Sequence, residues 1–223
     1  MNTRISSAIS FGRWGLDTPR WVLAILAWFM LSSMACARTV NGTEKTINLL
    51  SAVTYLEDPE SRLVIQDVQQ GAEQTRFQPW TGLGSAVNFG LTPSTYWLRF
   101  SLQRDSASPA LWYLEVPNPL LSKLTLYTAD GAVVATGADR PLGDRPSFNR
   151  HFIFPLELKD RAEDFYLQVS SNNTLNLPLQ LWQPYAYQQH LHGQLLLQFI
   201  YFGCILTLLL YNTMLSGLLK DSR

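Results

Sequence analysis

Thr95-Tyr96-Trp97-Leu98-Arg99-Phe100-Ser101-Leu102-Gln103 decides the fold. Tyr96, Leu98, Phe100 and Leu102 alternate with Thr95, Trp97, Arg99, Ser101 and Gln103, a period of two that lines one side of an extended chain with apolar groups. The spacing predicts a strand with one buried face. Downstream the alternation recurs. Trp112, Leu114 and Val116 oppose Tyr113 and Glu115, while Leu124 and Leu126 oppose Lys123, Thr125 and Tyr127. Phe152, Phe154 and Leu156 oppose His151 and Ile153, and the series continues through Phe165, Leu167 and Val169 to Leu175, Leu177, Leu179 and Leu181. Turn formers separate these runs at Ser108-Pro109, Pro117-Asn118-Pro119, Asp130-Gly131, Gly143-Asp144-Arg145-Pro146, Lys159-Asp160 and Asn172-Asn173. Strands so joined, without a helical pattern between them, predict a mainly β antiparallel sandwich or jelly roll. Tyr96, Leu98, Phe100, Leu114, Leu126, Phe154 and Leu167 are its expected core.

The opposite face carries the candidate ligand residues: Trp97, Arg99, Tyr113, Glu115, Tyr127, His151, Tyr166 and Gln168. Flat aromatic rings beside Arg, Glu and amide groups suit a sugar ring and its hydroxyls, and a cation with aromatic neighbours equally suits a small anion. This reading requires the strands to be neighbours in one sheet. Tyr and Trp are also good strand formers, so a loop covering them, with Arg99 paired to Glu115 across strands, accounts for the same residues.

Upstream, from Val40 to Gly90, the signals are mixed. Glu57-Asp58-Pro59-Glu60 reads as a turn, and the proline ends a strand at Asp58. Gly82-x-Gly84 lacks the third glycine and the helix of a phosphate-binding fingerprint, so it reads as a loop.

Two apolar stretches frame this domain. Leu195–Leu219, LLLQFIYFGCILTLLLYNTMLSGLL, contains no charge and at about 1.5 Å per residue is long enough for a tilted bilayer crossing. Lys220 and Arg223 follow as the basic flank expected on the cytoplasmic side. Gln198, Tyr201, Asn212 and Ser216 fall in one stripe roughly 60° wide, which predicts packing against other transmembrane helices, in a dimer or with a separately encoded part. Pro184 can start a juxtamembrane helix over 184–194, with Tyr185, Tyr187 and His190 near the outer interface. At the other end, arginines without lysine lead into Trp21–Ala35, and Ala35-Cys36-Ala37 closes a secretory signal over residues 1–37. An uncleaved anchor and a lipoprotein signal at Cys36 are the competing readings. Each puts the middle of the chain outside the cytoplasm. The predicted divisions are therefore 1–37 signal, 38–183 jelly-roll domain, 184–194 juxtamembrane helix, 195–219 transmembrane helix and 220–223 cytoplasmic end.

An apolar content of 47% and a formal net charge of zero over 223 residues describe a folded chain and exclude a nucleic-acid binder. Cys36 and Cys204 both lie outside the β-domain, which therefore has no disulfide. The histidines are His151, His190 and His192, and His190-x-His192 has no acidic residue beside it between Trp182 and Leu219, where the one cysteine, Cys204, lies inside the apolar run, so no metal and no cofactor are expected. Neither a G-x-S-x-G nor an H-E-x-x-H sequence occurs, and no enzyme is predicted.

Tyr55-Leu56-Glu57-Asp58-Pro59, Asn88-Phe89-Gly90 leading to Tyr96-Trp97-Leu98-Arg99-Phe100, Pro117-Asn118-Pro119-Leu120, Leu126-Tyr127 with Asp130-Gly131, and Phe152-Ile153-Phe154-Pro155-Leu156 stand in a specific order. Together with Leu208–Leu210, Tyr211-Asn212 and Leu219-Lys220-Asp221, that order resembles the bacterial seven-transmembrane receptors with diverse intracellular signalling modules (7TMR-DISM), through their second type of extracellular domain and first helix. The resemblance implies a periplasmic jelly roll similar to carbohydrate-binding modules, seated in the inner membrane. In the family it feeds seven helices and a cytoplasmic output such as a diguanylate cyclase or histidine kinase. Six helices and the output have no counterpart here, so the expectation is a truncated product, a fragment, or one part of a receptor encoded separately. The expected function is sensing of a small-molecule or glycan ligand. A structural or partner-binding membrane subunit and a receptor fragment without function are the alternatives.

Overall fold

In the computed structural model of the chain, residues 37–141, 143 and 149–220 are described. The signal peptide read over residues 1–37 and the cytoplasmic end at 220–223 fall almost wholly outside them. The strands are β1 (Arg38–Val40), β2 (Thr46–Asn48), β3 (Val53–Asp58), β4 (Gln78–Pro79), β5 (Val87–Gly90), β6 (Thr95–Arg104) and β7 (Leu111–Val116). They continue with β8 (Lys123–Tyr127), β9 (Val133–Thr136), β10 (Phe152–Glu157), β11 (Glu163–Ser170), β12 (Leu175–Leu177) and β13 (Gln180–Trp182). Two helices complete the order: α1 (Ile65–Gln70) and α2 (Pro184–Lys220).

The pairing is nested. β2 pairs with β13, β6 with β11, β7 with β10 and β8 with β9, all antiparallel, so the first of eight strands meets the last and the innermost pair is a hairpin. Folded over, this gives the two sheets of a jelly roll, as the turn spacing predicted. One runs β4-β3-β6-β11-β8-β9 with β1 parallel to the far end of β6, and the other runs β10-β7-β13-β2. A short third sheet joins β12 to β5.

The apolar rows point as their period requires. Leu98, Phe100, Leu126 and Leu167 from the first sheet and Leu114, Phe154 and Leu181 from the second belong to one buried cluster between the sheets, with Tyr96 at its edge. Phe100 stacks on Phe165, ring centroids 5.7 Å apart, at directly opposed positions of β6 and β11. All seven expected core residues are buried here.

Two local readings differ from the structure. Leu175–Leu181 is not one strand, because Pro178 offers no N–H to a ladder and the chain changes sheets there, β12 pairing with β5 and β13 entering the second sheet. Helix α1 went unpredicted because it is 6 residues long and presents a single buried side chain, Val68, to the domain. So short an element shows no period. Asp58, by contrast, ends β3 as expected, and its carboxylate accepts from the backbone N–H groups of Arg62 and Leu63, at 3.2 and 2.9 Å, turning the chain toward α1.

The juxtamembrane and transmembrane segments form one unbroken helix, α2. Pro184 occupies its first position, where a missing N–H is no loss. Gln183 roots it: its backbone N–H donates to Lys45 O and its side-chain amide to Gly42 O at 2.7 Å. Among the described residues α2 is the one helix long and apolar enough to cross a membrane. Along it Thr207, Asn212 and Thr213 donate to the carbonyls of Gly203, Leu208 and Leu209, at 2.8–2.9 Å. These bonds to the preceding turn satisfy the Asn212 N–H within its own helix and leave its carbonyl oxygen to a neighbour.

Candidate functional site

The eight sequence-selected residues divide between two surfaces. Trp97, Arg99, Tyr127, Tyr166 and Gln168 share the outer face of the first sheet, where β11 lies between β6 and β8. Tyr113, Glu115 and His151 sit on or beside the second sheet, on β7 and just before β10. The single face that the sugar-stacking reading required is therefore absent. Arg99 cannot reach Glu115 and instead pairs with Asp164 Oδ2 at 2.8 Å, a carboxylate also held by Ser101 Oγ.

On the first sheet, helix α1 and its flanks act as a cover. Val68 packs with Leu56, Trp97 and Tyr166 into a small second core, joined by Leu63, Ile65, Phe77 and Tyr127. Trp97 has 0% exposure and stacks on Tyr127 at 5.6 Å, so it is closed to a ligand in this arrangement. Its indole N–H finds no acceptor among the described residues. Burial pushes the Tyr127 phenol up. Burial does the same at Tyr166, reinforced by Asp164 and opposed by Arg99. The covering loop weighed as the alternative for this face is what the chain builds.

The cover stops short of the end of the sheet, and beyond it lies a cleft of about 380 Å³. Register explains its floor: Ser170 of β11 pairs with Lys123, Gln168 on the same side pairs with Trp97 and Thr125, and Thr95 opens β6 just beyond the pair of Tyr96 and Val169. Thr95, Lys123, Thr125, Gln168 and Ser170 thus point to one side, and the loops add Ser61, Asp139, Ser171 and Asn172. Ser61 Oγ is 2.7 Å from Thr95 Oγ1, which ties the covering segment to the cleft. Asp139 is brought in by a close backbone crossing in which Asp139 N donates to Ser122 O, and a side chain on Gly137 would overlap that same oxygen. Among the described lining residues only Lys123 and Asp139 carry charge. Apart from Pro93, the remainder are hydroxyls and amides, able both to donate and to accept. Of the sequence candidates only Gln168 lines this cleft. The same alternation had placed Thr95, Lys123 and Thr125 outward, but large aromatic rings outweighed small polar groups in the choice.

The second surface is a junction with the helix. Glu115, 3% exposed, accepts from His151 Nδ1 at 2.7 Å and from Trp182 Nε1 at 2.8 Å. Trp182 stacks on His190 of α2 at 4.8 Å, Tyr113 meets Tyr187 edge-on at 5.7 Å, and Asn149 donates to the Tyr187 hydroxyl at 2.6 Å. Because a carboxylate only accepts, His151 carries its proton on Nδ1, leaving Nε2 for another partner.

The chain thus combines a jelly roll carrying a polar cleft at one end of a sheet with a helix long and apolar enough to cross a membrane. Residues 50–183 match the family 7TMR-DISM extracellular 2, and the chain belongs to that family. No curated protein matches it. With α2 able to span a bilayer, this is the extracellular sensor part of a membrane receptor.

Proposed function

We propose that the domain senses a neutral, hydroxyl-rich small molecule, a saccharide or cell-wall fragment in preference to a carboxylate, in the cleft around Gln168, and that it does so in the bacterial periplasm as a binding module without catalysis. The carrying observation is the lining, in which hydroxyl and amide groups outnumber one cation and one anion. A polyol offers the matching array of donors and acceptors, whereas a carboxylate ligand has only Lys123 to meet it and Asp139 to oppose it. Hydrolysis by paired carboxylates has no second acid among the described lining residues. The membrane helix presents Gln198, Tyr201 and Ser216 on the same side as Asn212, which supports pairing with further transmembrane helices.

The ligand test uses the full chain in a neutral detergent. Glycans and cell-wall fragments should raise its thermal midpoint, and Gln168→Ala and Thr125→Val should weaken the response about tenfold each, the loss of one or two hydrogen bonds. Trp97→Phe should leave the affinity unchanged. A response to small carboxylates alone, or one insensitive to both cleft variants, would reject the reading.

Topology is checked with single cysteines in a chain whose Cys36 and Cys204 are serine. Ser106→Cys, on an exposed turn, should react with an impermeant maleimide in intact spheroplasts, and Ser222→Cys should react only after lysis. The reverse pattern places the domain in the cytoplasm.

A further inference from the structure

A second cleft, of about 360 Å³, opens where α2 leaves the sandwich; its walls include Arg150 and His151 on one side and His190, Leu191, Gln194 and Gln198 on the other. We infer that this cleft holds the phosphate headgroup of an anionic phospholipid from the leaflet facing the domain, with Arg150 as its principal ligand. The inference rests on α2 crossing the membrane and is independent of the ligand proposed for the cleft around Gln168.

Depth is the first argument. The apolar run begins at Leu195, and from there to Leu215 the large apolar side chains of α2 are exposed. His190 to Gln198 covers about 12 Å of helix axis. That interval straddles the start of the run and matches the band of headgroups and first methylenes, each headgroup layer being about 5–7 Å thick. Polar groups of the cleft thus lie at the level of phosphates, and Leu191 and Leu195 at the level where chains begin.

Charge is the second. Arg38, Arg62, Arg76, Arg99, Arg104 and Arg161 each pair with a carboxylate. Arg150 is exposed and has no hydrogen bond or ion pair among the described residues, a condition it shares with the side chain of Arg140, which does not line this cleft. A guanidinium with five donors fits two phosphate oxygens at once. Glu115 also lines the cleft, but both its oxygens are held by His151 and Trp182. His151 Nε2 and the Gln198 amide are the further donors and acceptors nearby. A headgroup with net negative charge answers Arg150, whereas the cation of a zwitterionic one is repelled by it.

The experiment takes the full chain in a neutral detergent and titrates in phosphatidylglycerol, phosphatidylcholine or inorganic phosphate, following the thermal midpoint and the lipid retained in native mass spectrometry. Phosphatidylglycerol should be retained and should raise the midpoint, phosphatidylcholine much less. Arg150→Gln should weaken the phosphatidylglycerol response about tenfold or more, since a hydrogen-bonded charge is lost, while Arg140→Gln should respond as the parent does. Equal responses to the two lipids, or an unaffected Arg150→Gln chain, overturn the proposal. Inorganic phosphate reproducing the shift would make this a free-anion site, and a disulfide linking two copies through Arg150→Cys in membranes would give the cleft to a partner chain. Either outcome also overturns it.

Discussion

Phe100→Ala lowers the stability of the domain by about 3–5 kcal/mol, the expected cost of a large cavity in a packed interior. Phe100 is 1% exposed at the centre of β6, and β6 is hydrogen-bonded on one side to β3 and on the other to β11. Its ring faces Phe165 and the second sheet, so removing it opens a void that neither sheet can close without shifting a whole strand. Phe154→Ala on the opposing sheet should fall in the same range. Arg99→Ala, one residue from Phe100 but on the outer face, should cost much less, since its pair with Asp164 is partly solvated. Urea unfolding of the three variants measures the contrast. If Arg99→Ala proved the most damaging, the assignment of inner and outer faces would be wrong.

Glu115→Ala should come close to that cost, at about 3–5 kcal/mol, for a different reason. No large void forms; instead the donors of His151 and Trp182 lose a charged acceptor in a half-buried site, and stranding polar groups costs about 1–3 kcal/mol each. Glu115→Gln keeps the shape and one good acceptor, so it should recover at least half of the loss. The junction supplies a second readout. Because Trp182 carries His190 of α2 on its ring, the Glu115→Ala change should loosen the first turns of the helix and raise amide exchange over residues 185–191, which a purely sheet-centred role would leave protected. An exchange pattern unchanged there would confine Glu115 to holding the sheet.

What could be read from the chain, and what could not, follows from the range of each signal. Alternation is local: it needs only successive side chains on an extended backbone, so Tyr96, Leu98, Phe100 and Leu102 declared their common side without any partner strand. Proline and glycine are equally local, which is why Asp58 was found as a strand end. Sheet membership is not local. Nothing between Arg99 and Glu115 says that the chain crosses to the opposing sheet in the turn around Ser108-Pro109, and so residues that share an outward direction were assigned to one surface when they belong to two. The cover over Trp97 was weighed as a possibility, but its execution by a 6-residue helix with one buried valine leaves no periodic trace. The cleft around Gln168 was harder still. Serine, threonine and asparagine are common in every loop, and only the register of β6, β11 and β8 gathers these particular ones. Glu115 was expected on the outward ligand face, whereas the structure buries it, and its partners His151 and Trp182 come from segments well beyond it in sequence.

The unbroken course of α2 from Pro184 to Lys220 has a mechanical consequence. No proline follows Pro184 and the helix is unbroken between the segment beside the sandwich and the apolar segment, so the rod is held, and would pivot, at one end, where Gln183 is bonded to Gly42 and Lys45 and where Tyr187 and His190 pack on Tyr113 and Trp182. At about 1.5 Å per residue its 37 residues reach about 55 Å. A tilt of about 5° at the pivot therefore swings the far end by about 5 Å, roughly the pitch of one helical turn. Leverage of this kind would enlarge a displacement of a few tenths of an ångström between β13 and β2, too small to disturb a single core contact, to several ångströms at the far end of the helix.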